Sequence, residues 1–171
     1  KGHARREGEL EALTRRVPGA RRYEGVAGTG RLLELISEFR FGDDELASLA
    51  ANGVVSSSTL DWLANYRFSG HIRGYREGEV YFPQSPILTV QSSFAEGVLL
   101  ETLILSVLNY DSAVATAASR MVTAAGSRPL AEMGSRRANE QAAVAAARAA
   151  HIAGFAATSN LEAGRRWGVP T

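Results

Sequence analysis

The sequence predicts an α/β protein: an α+β amino-terminal domain followed by strand–helix units too few to complete a barrel or a covered parallel sheet. Three observations carry this. Helical periodicity fills residues 29–66, short β-prone runs follow between 72 and 90, and from Pro129 the pattern becomes strand, helix, strand, helix. The 171 residues suffice for one ordinary domain with a core, or for a small domain plus part of a larger one. The composition, 45% hydrophobic and 22% charged, fits a soluble globular chain. A net charge of +1 gives no global case for nucleic acid or an anionic membrane as partner. No apolar run approaches the roughly 20 residues of a membrane span. Absence of cysteine removes disulfides, thiolate zinc sites and a cysteine nucleophile, and fits a reducing cytoplasm.

Residues 1–28 are locally basic, which suits either phosphate binding or a solvated or frayed terminus, and the frayed terminus is the expectation for the first dozen residues, within an unmatched tail of residues 1–14. Val17-Pro18-Gly19 reads as a turn. Gly25-Val-Ala-Gly28-Thr-Gly30 looks superficially like a phosphate loop, but no Lys-Ser or Lys-Thr follows, so a flexible turn and helix cap is the expectation. Thr29 is expected to cap a helix through Leu32, Leu33, Leu35, Ile36 and Phe39 that Gly42 ends. A second helix starts at Asp43 or Asp44 and stops at Asn52-Gly53, and a third is capped by Ser57 or Ser58. Ile72, Gly74-Tyr75, Val80-Tyr-Phe82 and Ile87-Leu-Thr-Val90 form a small antiparallel sheet, punctuated by Glu77-Gly78 and Pro83 to Pro86.

Two helices are then expected. The first, Phe94 to Leu108, is apolar around much of its circumference and should be buried on several sides, with Glu101 paired to an arginine such as Arg120. The second opens at Asp111 or Ser112 and runs to about Ala125. Leu130 to Met133 reads as a short strand, Asn139 to Ala153 as an alanine-rich helix, Gly154 to Ala157 as a second strand, Leu161 to Trp167 as a helix, and Gly168 to Thr171 as the start of a third strand. The domains are thus residues 15–127 and 128–171. Two and a half strand units neither close a barrel nor cover both faces of a parallel sheet, so the chain reads as a fragment.

The strongest chemical signal is Gly134-Ser-Arg-Arg137. A strand ends, and two guanidiniums follow at a helix start. Cations there oppose the helix dipole unless an anion compensates, and a guanidinium fork matches a carboxylate or phosphate. The alternative is a salt bridge of these arginines to Glu132 or Glu140. Thr158-Ser-Asn160, one helix later, is a polar ligand loop, an N-cap, or both. His151, His71 and His3 have no metal-ligand spacing, and no metal site is expected.

Several motifs, weak singly, occur in one order: Arg16-Val-Pro-Gly with Arg22-Tyr23, Phe82-Pro-Gln-Ser-Pro86, Leu99-Leu-Glu-Thr102, Glu132-Met-Gly-Ser-Arg-Arg-Ala138, Gly154-Phe-Ala-Ala-Thr-Ser-Asn160 and Gly168-Val-Pro. From about Arg15 to Thr171 the chain resembles nicotinate phosphoribosyltransferase, a type II phosphoribosyltransferase of pyridine-nucleotide salvage in NAD biosynthesis. The resemblance implies an α/β-sandwich-like domain joined to an irregular α/β barrel, here only the first strand–helix units of that incomplete α/β barrel, in an enzyme joining nicotinate to phosphoribosyl pyrophosphate, giving nicotinate mononucleotide and pyrophosphate. It implies ATP hydrolysis through a phosphohistidine (a ligase by that coupling), Mg²⁺, a cytoplasmic homodimer, and active sites at the dimer interface. Carried over by position, Arg136, with Arg137, meets the nicotinate carboxylate or a neighbouring phosphate. Met133 and Gly134 lie beside the pyridine ring, and Ser159 and Asn160 line the base pocket. The family's phosphohistidine falls past Thr171, so no catalytic residue is assigned here and the isolated 171 residues are expected to be inactive. A tyrosine-bearing segment of the family is not recognisable in Lys1 to Thr14. Rival readings are another type II phosphoribosyltransferase, for nicotinamide or quinolinate, and a non-catalytic helical interaction module. An exposed face on Phe94 to Leu108 would favour the last.

Overall fold

A computed structural model describes residues 3–17, 19 and 21–171. The turn read at Val17-Pro18-Gly19 includes Pro18, which lies outside the described residues. Strand β1 (Glu7–Leu13) and strand β2 (Glu24–Gly25) lead to helices α1 (Thr29–Glu38), α2 (Asp43–Ala51) and α3 (Ser57–Ala64). Strands β3 (His71–Gly74), β4 (Val80–Tyr81) and β5 (Pro86–Ser93) follow, then helix α4 (Phe94–Ala125). The chain closes with β6 (Ala131–Glu132), a 3-10 turn (Gly134–Arg137), α5 (Glu140–Ile152), β7 (Ala157–Thr158) and α6 (Leu161–Trp167).

β5 is the centre of an antiparallel sheet in the order β1-β5-β3, with Leu10 opposite Val90 and Ile72 opposite Val90 on its other side. Residues 7–13 are therefore a paired strand and not a frayed tail. Their period-two pattern turns Glu7, Glu9 and Glu11 outward and Ala12 into the core, and the partner that orders them lies some eighty residues away. Leu88 and Val90 of β5 pack with Leu32 and Ile36 of α1 and Leu100, Ile104, Val107 and Leu108 of α4.

The two helices expected on either side of Tyr110 are one continuous helix of 32 residues, about 48 Å long. Ser93 opens it with a capping box: its hydroxyl accepts from the Glu96 N–H, and Glu96 Oε2 accepts from the Ser93 N–H. Glu96 Oε1 also accepts from the N–H and hydroxyl of Ser69, tying the helix start to the loop before β3. Asp111 and Ser112, read as a new cap, are buried mid-helix. Asp111 takes both arms of Arg31, and Ser112 bonds the backbone of Ala27. Glu101 is exposed and does not meet Arg120, which donates to the carbonyls of Thr116 and Tyr23. One face of α4 is covered by the sheet and α1, whereas Phe94, Val98 and Leu105 stay exposed on another. Among the described residues α4 alone has the length and mean hydropathy, 1.4, to cross a bilayer, and Leu100, Ile104, Val107 and Leu108 of it pack into the core.

The Gly25 to Gly30 segment is packed into the fold. Gly25 belongs to β2, Val26 and Ala27 are fully buried, and Gly28, not Thr29, is the N-cap of α1. Gly28 has φ 96°, and a β-carbon there would come within 2.9 Å of Asp111, so both conformation and space demand glycine. Gly168 to Thr171 forms no strand, although the Thr158 N–H donates to the Pro170 carbonyl and Val169 is buried.

Glu77, in the β3–β4 connection, receives both arms of Arg148 from α5 at 2.7 Å and the Gly28 N–H at 2.7 Å. Burial pushes the Glu77 carboxyl up, but the Arg148 hydrogen bonds and charge, with the Gly28 and Gly30 amides, outweigh it and hold the carboxyl below its ordinary value. A depressed folded-state pKa means the stabilisation is present above the unfolded value and vanishes as pH falls through the folded one. Wild-type stability should therefore decline on acidification below about pH 4.5, and a Glu77→Gln variant should show a shallower decline there in pH-dependent urea titrations. Identical slopes would remove Glu77 from the acid response.

Candidate functional site

β6 and β7 run parallel, with Ala131 opposite Ala157 and Glu132 opposite Thr158. Their carboxyl ends therefore point the same way, and the chain leaves β6 into the Gly134–Arg137 turn and β7 into Ser159-Asn160. Alanine-rich α5 connects them, with Asn139 as N-cap accepting from the Ala142 N–H at 2.8 Å. Asn160 caps α6, its Oδ1 accepting from the Ala163 N–H at 3.0 Å, while its Nδ2 donates to the Ser135 hydroxyl at 3.1 Å. Asn160 thus serves as cap and as bridge between the two strand ends.

Glu132 organises this corner. One carboxylate oxygen accepts from the Gly134 N–H, the other from the Thr158 hydroxyl at 2.8 Å, and its carbonyl accepts from the Ser159 N–H at 2.9 Å. Thr158 Oγ1 in turn accepts from the Asn160 N–H at 3.0 Å. The carboxylate fixes the turn that carries the arginines and leaves them unpaired by it. Tyr110 of α4 donates to the Ala142 carbonyl at the first turn of α5. Burial, then the Asp111 and Glu132 charges, raise its phenol, so it remains a neutral donor.

Of the residues read from the sequence, Ser135 and Asn160 meet directly, and Gly134 and Ser159 join them through Glu132. Met133 is 68% exposed beside the turn. Arg136 and Arg137 are exposed, and neither pairs with Glu132 or Glu140 as the alternative required. Among the described residues the one bond of their guanidiniums is from Arg137 to the Arg136 carbonyl. Two cations at the mouth of parallel strand ends, free of protein acids, are available to an anion. A groove of about 900 Å³ opens beside this corner; Ser135 and Asn160 line it with Gln141, Arg31, Glu34 and Trp167, whereas Met133, Gly134, Arg136, Arg137 and Ser159 do not. Thr158 belongs to the polar loop expected from the sequence, but the bond between Glu132 and Thr158 was not foreseen. Their pairing depends on the β6–β7 register, and the available hint was an acid placed on the strand just before the arginine turn.

A parallel strand pair with cationic and amide side chains at its carboxyl end occupies the place in the fold where α/β proteins put their ligands. The sequence model for the nicotinate phosphoribosyltransferase (NAPRTase) N-terminal domain matches residues 1–109, and so includes β1. The chain is 60% identical over 169 residues to nicotinate phosphoribosyltransferase pncB1 of Mycobacterium tuberculosis, and 35% identical over 162 residues to nicotinate phosphoribosyltransferase of Bacillus subtilis. These alignments cover 99% and 94% of this chain but 37% and 33% of those proteins. The crystal structure of human nicotinic acid phosphoribosyltransferase superposes with a TM-score of 0.91 at 31% identity, over 99% of this chain and 35% of that one. The chain belongs to the nicotinate phosphoribosyltransferase family, an enzyme family, and spans about a third of the length of the curated relatives it matches. That membership displaces the reading as a non-catalytic helical module.

Proposed function

We propose that this chain is the amino-terminal portion of a nicotinate phosphoribosyltransferase that makes nicotinate mononucleotide and pyrophosphate from nicotinate and phosphoribosyl pyrophosphate. The observation that carries the reading is the unpaired arginine turn held by Glu132 against Asn160. Nicotinate is an anion of carboxylate and pyridine. Arg136 holds the carboxylate, with Arg137 adding charge for it or for a neighbouring phosphate. Met133 and Gly134 flank the ring, and Ser159 and Asn160 close the pocket. So held, the ring nitrogen points at the ribose carbon that loses pyrophosphate. The new bond is carbon–nitrogen, the broken bond is carbon–oxygen, and pyrophosphate leaves with the electron pair. Positioning and fixed charge supply the main catalytic effect.

ATP and Mg²⁺ belong to this proposal through the remainder of the protein, ATP hydrolysis driving the reaction forward. Among the described residues no three His, Cys, Asp or Glu side chains gather to hold a metal, so no step of these residues is routed through it. A cytoplasmic homodimer with shared active sites completes the reading, and the exposed Phe94, Val98 and Leu105 of α4 are available to such an interface. The test is the full-length protein given phosphoribosyl pyrophosphate, ATP and Mg²⁺ with nicotinate, nicotinamide or quinolinate in parallel, products being separated by chromatography. Nicotinate mononucleotide as the dominant product is expected. Conversion of either rival base in preference to nicotinate would overturn the assignment.

A further inference from the structure

The two helices that frame the candidate site both begin at it. α5 starts three residues after Arg137, and α6 starts directly after its cap Asn160. Their far ends meet at Arg148. This arginine, near the end of α5, is bidentate to Glu77 with both contacts at 2.7 Å, and its guanidinium lies 5.3 Å over the ring of Trp167, the last residue of α6. The Trp167 indole N–H points at Glu34 of α1, 3.5 Å away. Glu77 also takes the Gly28 N–H at the start of α1. A β-carbon on Gly30 would stand 2.7 Å from Arg148 Nη2 and 3.1 Å from Glu77 Oε2, so α1 reaches the pair only because no side chain intervenes. The Arg148 and Glu77 side chains are 14% and 20% exposed. A planar fork that also stacks is a geometry lysine does not reproduce.

We infer that Arg148 is a positioning residue for the base pocket: it clamps the far ends of α5 and α6 to the amino-terminal layer and so fixes the gap between the Arg136 turn and Asn160. The inference rests on the reading of that corner as the nicotinate pocket. A 13-residue helix is a rigid rod of about 20 Å, so a swing at Arg148 displaces the other end. A displacement of about 1 Å at a reacting centre is enough to cost up to roughly a hundredfold in rate.

The experiment uses the full-length protein as Arg148→Met, Arg148→Lys, Trp167→Leu and Trp167→Phe variants. Arg148→Met should raise KM for nicotinate about tenfold, with KM for phosphoribosyl pyrophosphate within about twofold of wild type. Arg148→Lys should stay impaired, and Trp167→Phe should recover most of what Trp167→Leu loses, because the ring face returns. Should Arg148→Met fail to fold, the Trp167 pair makes the same comparison. Hydrogen exchange supplies a readout independent of activity. The Ala142 and Ala163 amides, bonded to the caps Asn139 and Asn160, should exchange about tenfold faster in Arg148→Met or Trp167→Leu, with Leu100 and Ile104 unchanged. Unchanged protection at the two caps, a parallel rise in both KM values, or a lower Tm with both KM values unchanged would overturn the inference. Failure of wild type to make nicotinate mononucleotide would defeat the functional reading alone, and the exchange comparison would still decide the clamp.

Discussion

Substituting alanine for Asp111 is expected to destabilise the folded protein by about 3 kcal/mol, the low end of the range for breaking a buried ion pair. The Asp111 side chain is 1% exposed and takes Arg31 Nε at 3.0 Å and Nη2 at 2.8 Å. Removing it strands a guanidinium that is 21% exposed, so water recovers part of the loss but not all. The pair also crosses the structure, joining α1 to the middle of α4 where Gly28 fits closely against the Asp111 side chain. For a unit of this size each kcal/mol corresponds to roughly 2–4 °C in the unfolding midpoint. An Arg31→Met/Asp111→Leu double variant should recover most of the stability, since apolar replacement of a buried pair is often neutral. Urea titration of wild type, single and double variants makes the check. A loss below about 1 kcal/mol would show that the pair behaves like a hydrated surface contact.

The second large effect falls on activity. In the full-length protein Arg136→Ala should lower kcat/KM for nicotinate roughly ten- to hundredfold, the worth of about 1.5–3 kcal/mol for a charge-assisted hydrogen bond. Stability should hardly change, because Arg136 is exposed and its guanidinium makes no hydrogen bond or ion pair among the described residues. Arg136→Lys should lie between, keeping charge but losing the fork. The measurement is steady-state kinetics with each substrate varied in turn. Wild-type kcat/KM in Arg136→Ala would remove this residue from the pocket, and a larger loss in Arg137→Ala would transfer the role to its neighbour.

What could be read in the sequence tracks how local the cause is. α6 occupies Leu161–Trp167 as expected, and α5 differs by a single residue at each end, because Asn139 and Asn160 cap through side chains three residues from their partners. The break expected at Asp111-Ser112 is absent because those polar side chains answer to Arg31 and Ala27, more than eighty positions from Ser112 and eighty from Asp111. β1 was hidden for the same reason, its order coming from β5. At the site, the convergence of the Gly134–Arg137 turn with Asn160 was legible from two successive strand ends. The role of Glu132 was not, since an acid before two arginines looks like their partner until the parallel register places it on Thr158 and the Gly134 amide.

The alanines of α5, read from sequence as helix propensity, have a second consequence in the fold. Ala149 nests with Ala115 of α4 and Ala27 beside β2, while Ala147 nests with Ala163 of α6 and Val169. Small side chains meet at the centre of both flanks, with Ile152 and Trp167 packed beside them, so the close-packed centre has little room for a bulkier neighbour. The seam acts as a spacing gauge: enlargement at one position is tolerable only with shrinkage opposite, and an engineer seeking to thicken this interior would have to redesign three helices together.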